Sequence, residues 1–176
     1  KEVEEVADRS RRVVEESKRR LDDVVRRVKE DSDRLRRDIE RMVKRIKEIV
    51  KRVREEIGKD KRELVERVRE EADKVVETAR KLLDEVEKHA RDIVRRIEEL
   101  ARRDKRSVER SEEEVKRVDD RKILKELLDR DRKSVKESED EVKRLLDSNH
   151  ELSRRIREEL KRLLEKVKEL VDRVRT

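Results

Sequence analysis

The chain has 176 residues, of which 61% are charged and 31% apolar, with no Phe, Trp, Tyr, Cys or Pro and a single glycine. Without cysteine there is no disulfide, thiolate metal site or cysteine nucleophile, and no apolar run exceeds two residues, against the roughly twenty that a membrane helix needs. The net charge of +7 comes from 57 basic and 50 acidic residues mixed along the whole chain, and no aromatic is available to stack on bases, so nothing marks a nucleic-acid binder.

So much charge would suit a disordered chain, but the signs are interleaved and the apolar residues recur at helical spacing, which points to long helices instead. Lys1-Glu2-Val3-Glu4-Glu5 has no apolar stretch of the kind a signal peptide carries. Composition leaves the compartment open.

The spacing predicts a first helix over residues 2–57. Ala7, Val14, Leu21, Val28, Leu35, Met42 and Ile49 recur at sevens. A companion row runs through Val3, Ser10, Ser17 and Val24, slips by one residue, and continues through Val25, Ser32, Ile39, Ile46 and Val53. Two such rows make one apolar stripe. At 1.5 Å per residue this helix is about 85 Å long.

Ile57-Gly58-Lys59-Asp60 is the strongest break in the chain. Gly58 suits a left-handed residue just past a helix end, and Asp60, with Glu63 three residues on, suits an N-cap in a capping box.

A second helix is predicted over 61–118, with rows Val65, Ala72, Ala79, Val86, Ile93, Leu100, Ser107 and Val68, Val75, Leu82, His89, Ala90, Ile97, Asp104, Ser111, Val118. A second turn is placed at Val118-Asp119-Asp120-Arg121, where either aspartate can cap. The third helix, 121–176, carries Leu128, Val135, Val142, Asn149, Ile156, Leu163, Leu170 and Leu124, Asp131, Ser138, Leu145, Leu146, Ser153, Leu160, Val167, Val174. The runner-up break, at Asp147-Ser148-Asn149-His150-Glu151, leaves the stripe in phase. Short turns make successive helices antiparallel. The expected fold is all-α: one domain spanning residues 1–176, a long up-down-up three-helix bundle with coiled-coil-like packing.

With the register set by the turns alone, the polar residues of the stripe gather at two levels. An end group holds Ser10, Ser17, Asp104, Ser107, Ser111, Asp131, Ser134 and Ser138. A middle group holds Ser32, His89, Asn149 and Ser153, with His150 beside it. Asp104-Lys105-Arg106-Ser107-Val108-Glu109-Arg110-Ser111 repeats as Asp131-Arg132-Lys133-Ser134-Val135-Lys136-Glu137-Ser138. Packed antiparallel, each stretch offers a carboxylate to the serines of the other. Buried polar groups cost about 1–3 kcal/mol each unless hydrogen-bonded, so both groups are expected to be networks that fix register.

Chemistry finds little support. His89 and His150 lack the further convergent ligands that zinc requires. Asp104 stands about 22 Å along its helix from His89, too far for a triad, and no oxyanion feature accompanies it. No catalytic, cofactor-binding or metal-binding residue is expected.

Equal helix lengths, the minimal turn Gly58-Lys59-Asp60, a surface of Arg, Lys, Glu and Asp, and polar layers such as Ser32/His89/Asn149/Ser153 together give the chain a style. It resembles de novo designed helical bundles with buried hydrogen-bond networks, across all 176 residues. Spectrin-like repeats also use three helices but usually carry core aromatics. The resemblance implies a structural scaffold with no natural biochemical function, not an enzyme. Such a scaffold is a monomer that requires no partner, cofactor, nucleic acid or membrane. The alternative is an interaction module or assembly building block, its stripe partly open around Ser10 and Ser17, that pairs with another copy or a partner helix.

Overall fold

Three helices account for nearly all of the computed structural model, which describes residues 2–117 and 121–176: α1 (Glu2–Ile57), α2 (Arg62–Arg117) and α3 (Arg121–Arg175). They form an all-α three-helix bundle. The helix ends follow the macrodipole. Glu63 lies in the first turn of α2, and Arg54, Lys116, Arg117, Arg173 and Arg175 lie in last turns.

The first turn differs in detail from its predicted chemistry. Gly58 donates its N–H to Arg54 O at 3.0 Å, and the N–H groups of Asp60 and Lys61 donate to Ile57 O at 3.3 and 3.1 Å. Gly58 does not have positive φ. Glycine is needed there for a different reason: a Cβ would stand 2.2 Å from the Arg54 carbonyl oxygen. Nor is Asp60 the N-cap. Lys61 O accepts the first helical bond, from Val65 N at 3.1 Å, so Lys61 holds the cap position with Asp60 one residue outside it. The Lys61 side chain instead closes another helix end, donating from Nζ to Val174 O at 3.1 Å near the C-terminus of α3.

The second predicted turn, at 118–120, lies outside the described residues. The runner-up break is excluded, because α3 is helical through 147–151.

The chain divides into two compact units, each taking a piece of all three helices. The second unit comprises Glu30–His89 and His150–Thr176. One continuous apolar cluster fills it, from Leu35, Ile39, Ile46 and Val53 on α1 through Val65, Val75, Ala79 and Val86 on α2 to Ile156, Leu160, Val167 and Val174 on α3. Each fully buried aliphatic side chain of this size contributes about 1.5–3 kcal/mol. Ion pairs flank the cluster: Arg36 with Glu87 between α1 and α2, and Arg157 with Asp38 between α3 and α1.

The first unit comprises Lys1–Lys29 and Ala90–Asn149, and its core is interrupted. One apolar cluster gathers Leu21, Val28, Ala90, Ile93, Ile97, Leu100 and Val142. A smaller one gathers Val115, Leu124 and Leu127. In sequence, six buried polar residues fall between them, two from each helix: Ser10 and Ser17 on α1, Asp104 and Ser111 on α2, Asp131 and Ser138 on α3. On the outside, Arg96 grips Glu141 with two bonds, Nε–Oε1 at 2.7 Å and Nη2–Oε2 at 3.1 Å, which holds the Glu141 carboxyl below its usual value. Arg20 pairs with Glu139, 119 residues away in sequence, and Arg11 with Glu112. Exposed pairs of this kind are screened by solvent and add little to stability.

Several buried residues lie beside the two predicted rows: Val76, Val108, Val115, Leu127, Leu152 and Val171. Each helix of a three-helix bundle faces two neighbours at once. The inward sector is therefore wider than the seam of a two-stranded coil, and apolar residues adjacent to the rows are drawn in.

Candidate functional site: the polar layer of the first unit

Asp104, Ser107 and Ser111 follow one another at three and four residues along α2, as do Asp131, Ser134 and Ser138 along α3. That spacing puts each set on one helix face. Antiparallel packing lays the two faces together in opposite directions. Ser107 Oγ donates to Asp131 Oδ1 at 2.6 Å. In return, Ser134 Oγ and Ser138 Oγ both donate to Asp104 Oδ1, at 2.8 and 3.0 Å. The exchange has approximate twofold character, and two arginines extend it. Arg103 Nη2 donates to Ser138 Oγ at 2.8 Å, and Arg130 Nη2 donates to Ser111 Oγ at 2.9 Å. Each arginine immediately precedes the aspartate of its own helix. The sequence repeat thus begins one residue earlier than its aspartates, at Arg103 and Arg130, and those arginines are its signal in the sequence.

The symmetry fails at one point. Ser138 Oγ donates to Asp104, whereas Ser111 Oγ donates to the Ser107 carbonyl of its own helix at 3.1 Å. Asp131 therefore accepts one serine and Asp104 accepts two. Both carboxylates keep one oxygen without a partner, Oδ2 in each case. Burial pushes the Asp104 carboxyl above its usual value of 3.8. Glu139 adds to the rise, while the bonds from Ser134 and Ser138 and the charge of Arg103, whose Nε lies 3.9 Å from Oδ1, oppose it.

On α1, Ser10 and Ser17 are buried but do not join this exchange, and Ser17 Oγ has no partner. Ser17 and Asp104 both line a cleft of about 520 Å³ between α1 and α2. Val14, Leu21, Ala101 and Val108 supply its apolar walls, and Arg11, Glu15, Lys18, Arg102, Lys105, Glu109 and Glu112 line the rest.

Compared with known proteins, the chain matches no protein family, no curated protein and no solved structure.

The predicted middle group is divided between the two units. Asn149, in the first unit, is buried. In the second unit Ser32, His89 and Ser153 are half-buried, no hydrogen bond joins them, and His89 Nε2 is without a partner. A serine hydroxyl is short, and a half-buried position leaves it access to water, so Ser32 and Ser153 need no protein partner. His150 is exposed, with Nε2 3.6 Å from an Asp31 carboxylate oxygen. Among the described residues, no group of three or more His, Asp or Glu side chains is arranged to hold a metal ion, and no helix is long and apolar enough to cross a membrane.

Proposed function

We propose that the chain is a designed structural scaffold without a natural biochemical function, in which buried polar residues specify how the helices pair. The observation that carries this reading is the reciprocal exchange between Asp104 with Ser134 and Ser138 on one side and Asp131 with Ser107 on the other. An apolar stripe of Val, Leu and Ile tolerates a slip of one turn at modest cost. A slip that separates Asp104 from its two serines strands a carboxylate in the interior, and removing one partner of such a group costs several kcal/mol. The layer therefore acts on specificity, while the aliphatic clusters on either side supply stability. This reading assigns the chain no reaction, cofactor or obligatory partner.

The test is an apolar replacement of the whole layer: Asp104→Leu and Asp131→Leu together with Ser107→Ala, Ser134→Ala and Ser138→Ala. The expected variant melts at a higher temperature but gives several sets of amide resonances, or a mass above that of one chain. A variant that stays monomeric with a single sharp set of resonances shows that apolar packing alone fixes the pairing, and the reading fails.

A second reading, an assembly building block that pairs with another copy, is favoured by the cleft between α1 and α2, where Ser17 Oγ lacks a partner. Light scattering separates the two. The mass of one chain across a hundredfold range of concentration supports the self-contained scaffold, and a multiple of it supports assembly.

A further inference from the structure

The net charge of +7 is unevenly spread. Residues 41–54 of α1, in the second unit, hold seven basic side chains and one acidic one, Glu48, so this short stretch carries +6 and the rest of the chain +1. All eight side chains are exposed. Elsewhere several cations are matched by carboxylates of another helix, Arg11 by Glu112, Arg20 by Glu139 and Arg36 by Glu87 among them. In this stretch, among the described residues, only Arg41 is paired, with Asp38 at 3.8 Å. Arg41 and Arg45, Lys44 and Lys47, and Lys47 and Lys51 stand three or four residues apart, a spacing at which like charges repel. The helix holds because Met42, Ile46 and Val53 on its other side are buried in the core. The repulsion is left for an anion outside the chain to relieve.

The cations lie on both flanks of α1 as well as along its crest. At about 100° per residue, Lys44 and Lys51 point away from the buried Ile46 and Val53, with Arg41, Arg45 and Arg52 on one flank and Lys47 and Arg54 on the other. Accordingly, Lys47, Lys51 and Arg54 line a recess of about 250 Å³ towards α2, while Arg41, Lys44, Arg45 and Arg52 line a separate one of about 470 Å³. A flat anionic surface such as a membrane meets the crest and leaves both flanks unused. A partner that engages both is concave, with anionic walls one helix diameter apart. The major groove of B-form DNA is about 12 Å wide between rows of phosphates, and a helix with its side chains measures about 10–12 Å. The major groove of A-form RNA is too narrow to admit it. A second copy of the chain is a poor complement, because acidic residues such as Glu112, Glu139 and Glu141 are already engaged by Arg11, Arg20 and Arg96.

We propose that residues 41–54 of α1 are a docking face for double-stranded DNA. The helix lies in the major groove, with Arg41, Arg45 and Arg52 on the phosphates of one wall and Lys47 and Arg54 on those of the other. The stretch holds no Asn or Gln to read adenine, and phosphate contacts carry no base identity. Binding is therefore independent of sequence, and it needs no aromatic.

The test is fluorescence anisotropy of a labelled mixed-sequence duplex of about 20 base pairs titrated with the full chain at several salt concentrations. A dissociation constant of about 10 µM is expected near physiological salt, and five phosphate contacts give a slope of about −4.5 in log affinity against log salt. Arg41→Gln, Arg45→Gln and Arg52→Gln together should weaken binding about tenfold or more and flatten the slope by about 3; Lys47→Gln with Arg54→Gln should do the same with a change of about 2. Lys133→Gln, Lys136→Gln and Lys143→Gln remove three exposed cations from α3 instead and should alter affinity less than about threefold. Circular dichroism checks that each variant is folded. Equal weakening by the α3 variant means that net charge alone attracts the duplex, and overturns the proposal. So does a loss confined to one flank, or equal affinity for the single strand of the same length. Vesicles of phosphatidylserine that hold the chain more tightly than the duplex does refute the groove in favour of a membrane. The probe comparison and the salt slope use the unaltered chain and decide even if a variant misfolds.

Discussion

Asp104→Asn is the most informative single change in the fold. The side chain is nearly inaccessible yet borders a cleft, and it accepts two hydroxyl bonds on one oxygen and none on the other. An amide keeps the acceptor for Ser134 and Ser138 and exchanges one buried, unpartnered oxygen for a neutral NH2 group in the same place. Bonds to a charged group contribute about 1.5–3 kcal/mol and neutral ones about 0.5–1.5, so the change gives up about 1 kcal/mol at each serine. Against this stands the penalty for holding a carboxylate away from water, several kcal/mol even after relaxation. The raised Asp104 carboxyl indicates that desolvation outweighs the bonds. The variant should therefore be about 1–2 kcal/mol more stable than the parent near neutral pH.

The pH profile gives a sharper signature. A carboxyl whose folded pKa is raised holds its proton longer in the folded than in the unfolded chain. Its stabilising contribution is complete below the ordinary value of 3.8 and is lost as pH rises through the folded pKa. Across that window the parent should lose up to about 1.4 kcal/mol per pH unit relative to the variant, and on either side the two profiles should run parallel. The charged groups that act on Asp104, Arg103 on its own helix and Glu139 on α3, are unaltered by the substitution. Urea unfolding of both proteins at a series of pH values measures the difference directly. Profiles that stay parallel throughout, or a variant clearly less stable near neutral pH, refute the claim that burial of this carboxylate is a net cost.

The other predictions rest on packing and backbone geometry. Leu35→Ala removes a fully buried side chain from the continuous core of the second unit and should cost about 2–5 kcal/mol by urea unfolding. Gly58→Ala forces a Cβ against the Arg54 carbonyl oxygen, so the turn must shift; a loss of more than about 1 kcal/mol is expected, and a neutral result would show that the turn adapts freely. Ser17→Val replaces an unpartnered hydroxyl with two methyls beside Val14 and Leu21, and should raise the melting temperature by a few degrees. Amide hydrogen exchange should find the first unit opening at lower free energy than the second, because its apolar core is broken by the polar layer; equal protection would place the layer's hydrogen bonds on a par with aliphatic packing.

By itself the sequence determined three helices and the face each turns inward. Rows such as Val65, Ala72, Ala79, Val86 and Ile93 repeat at sevens because a helix returns a side chain to the same side every two turns, and that relation is local. The inward position of Asp104, Asp131, Ser111 and Ser138 follows from the same arithmetic, as does the antiparallel pairing of the two repeats. The sequence could not say which atoms then meet. Ser138 reaches across to Asp104 while its counterpart Ser111 bonds its own helix; the choice turns on fractions of an ångström between backbones. Likewise Ser32, His89 and Ser153 share a face with the core yet stay half-buried and unbonded to one another. At the first turn Gly58 was legible as a break, but its reason was not. A close approach to Arg54 O, and not a left-handed backbone, excludes a side chain there. The cleft beside Ser17 was decided by tertiary structure alone. Small side chains such as Ser17 and Ala101 leave space only when the opposing helix stands too far away to fill it, and spacing along one strand of sequence carries no record of that distance.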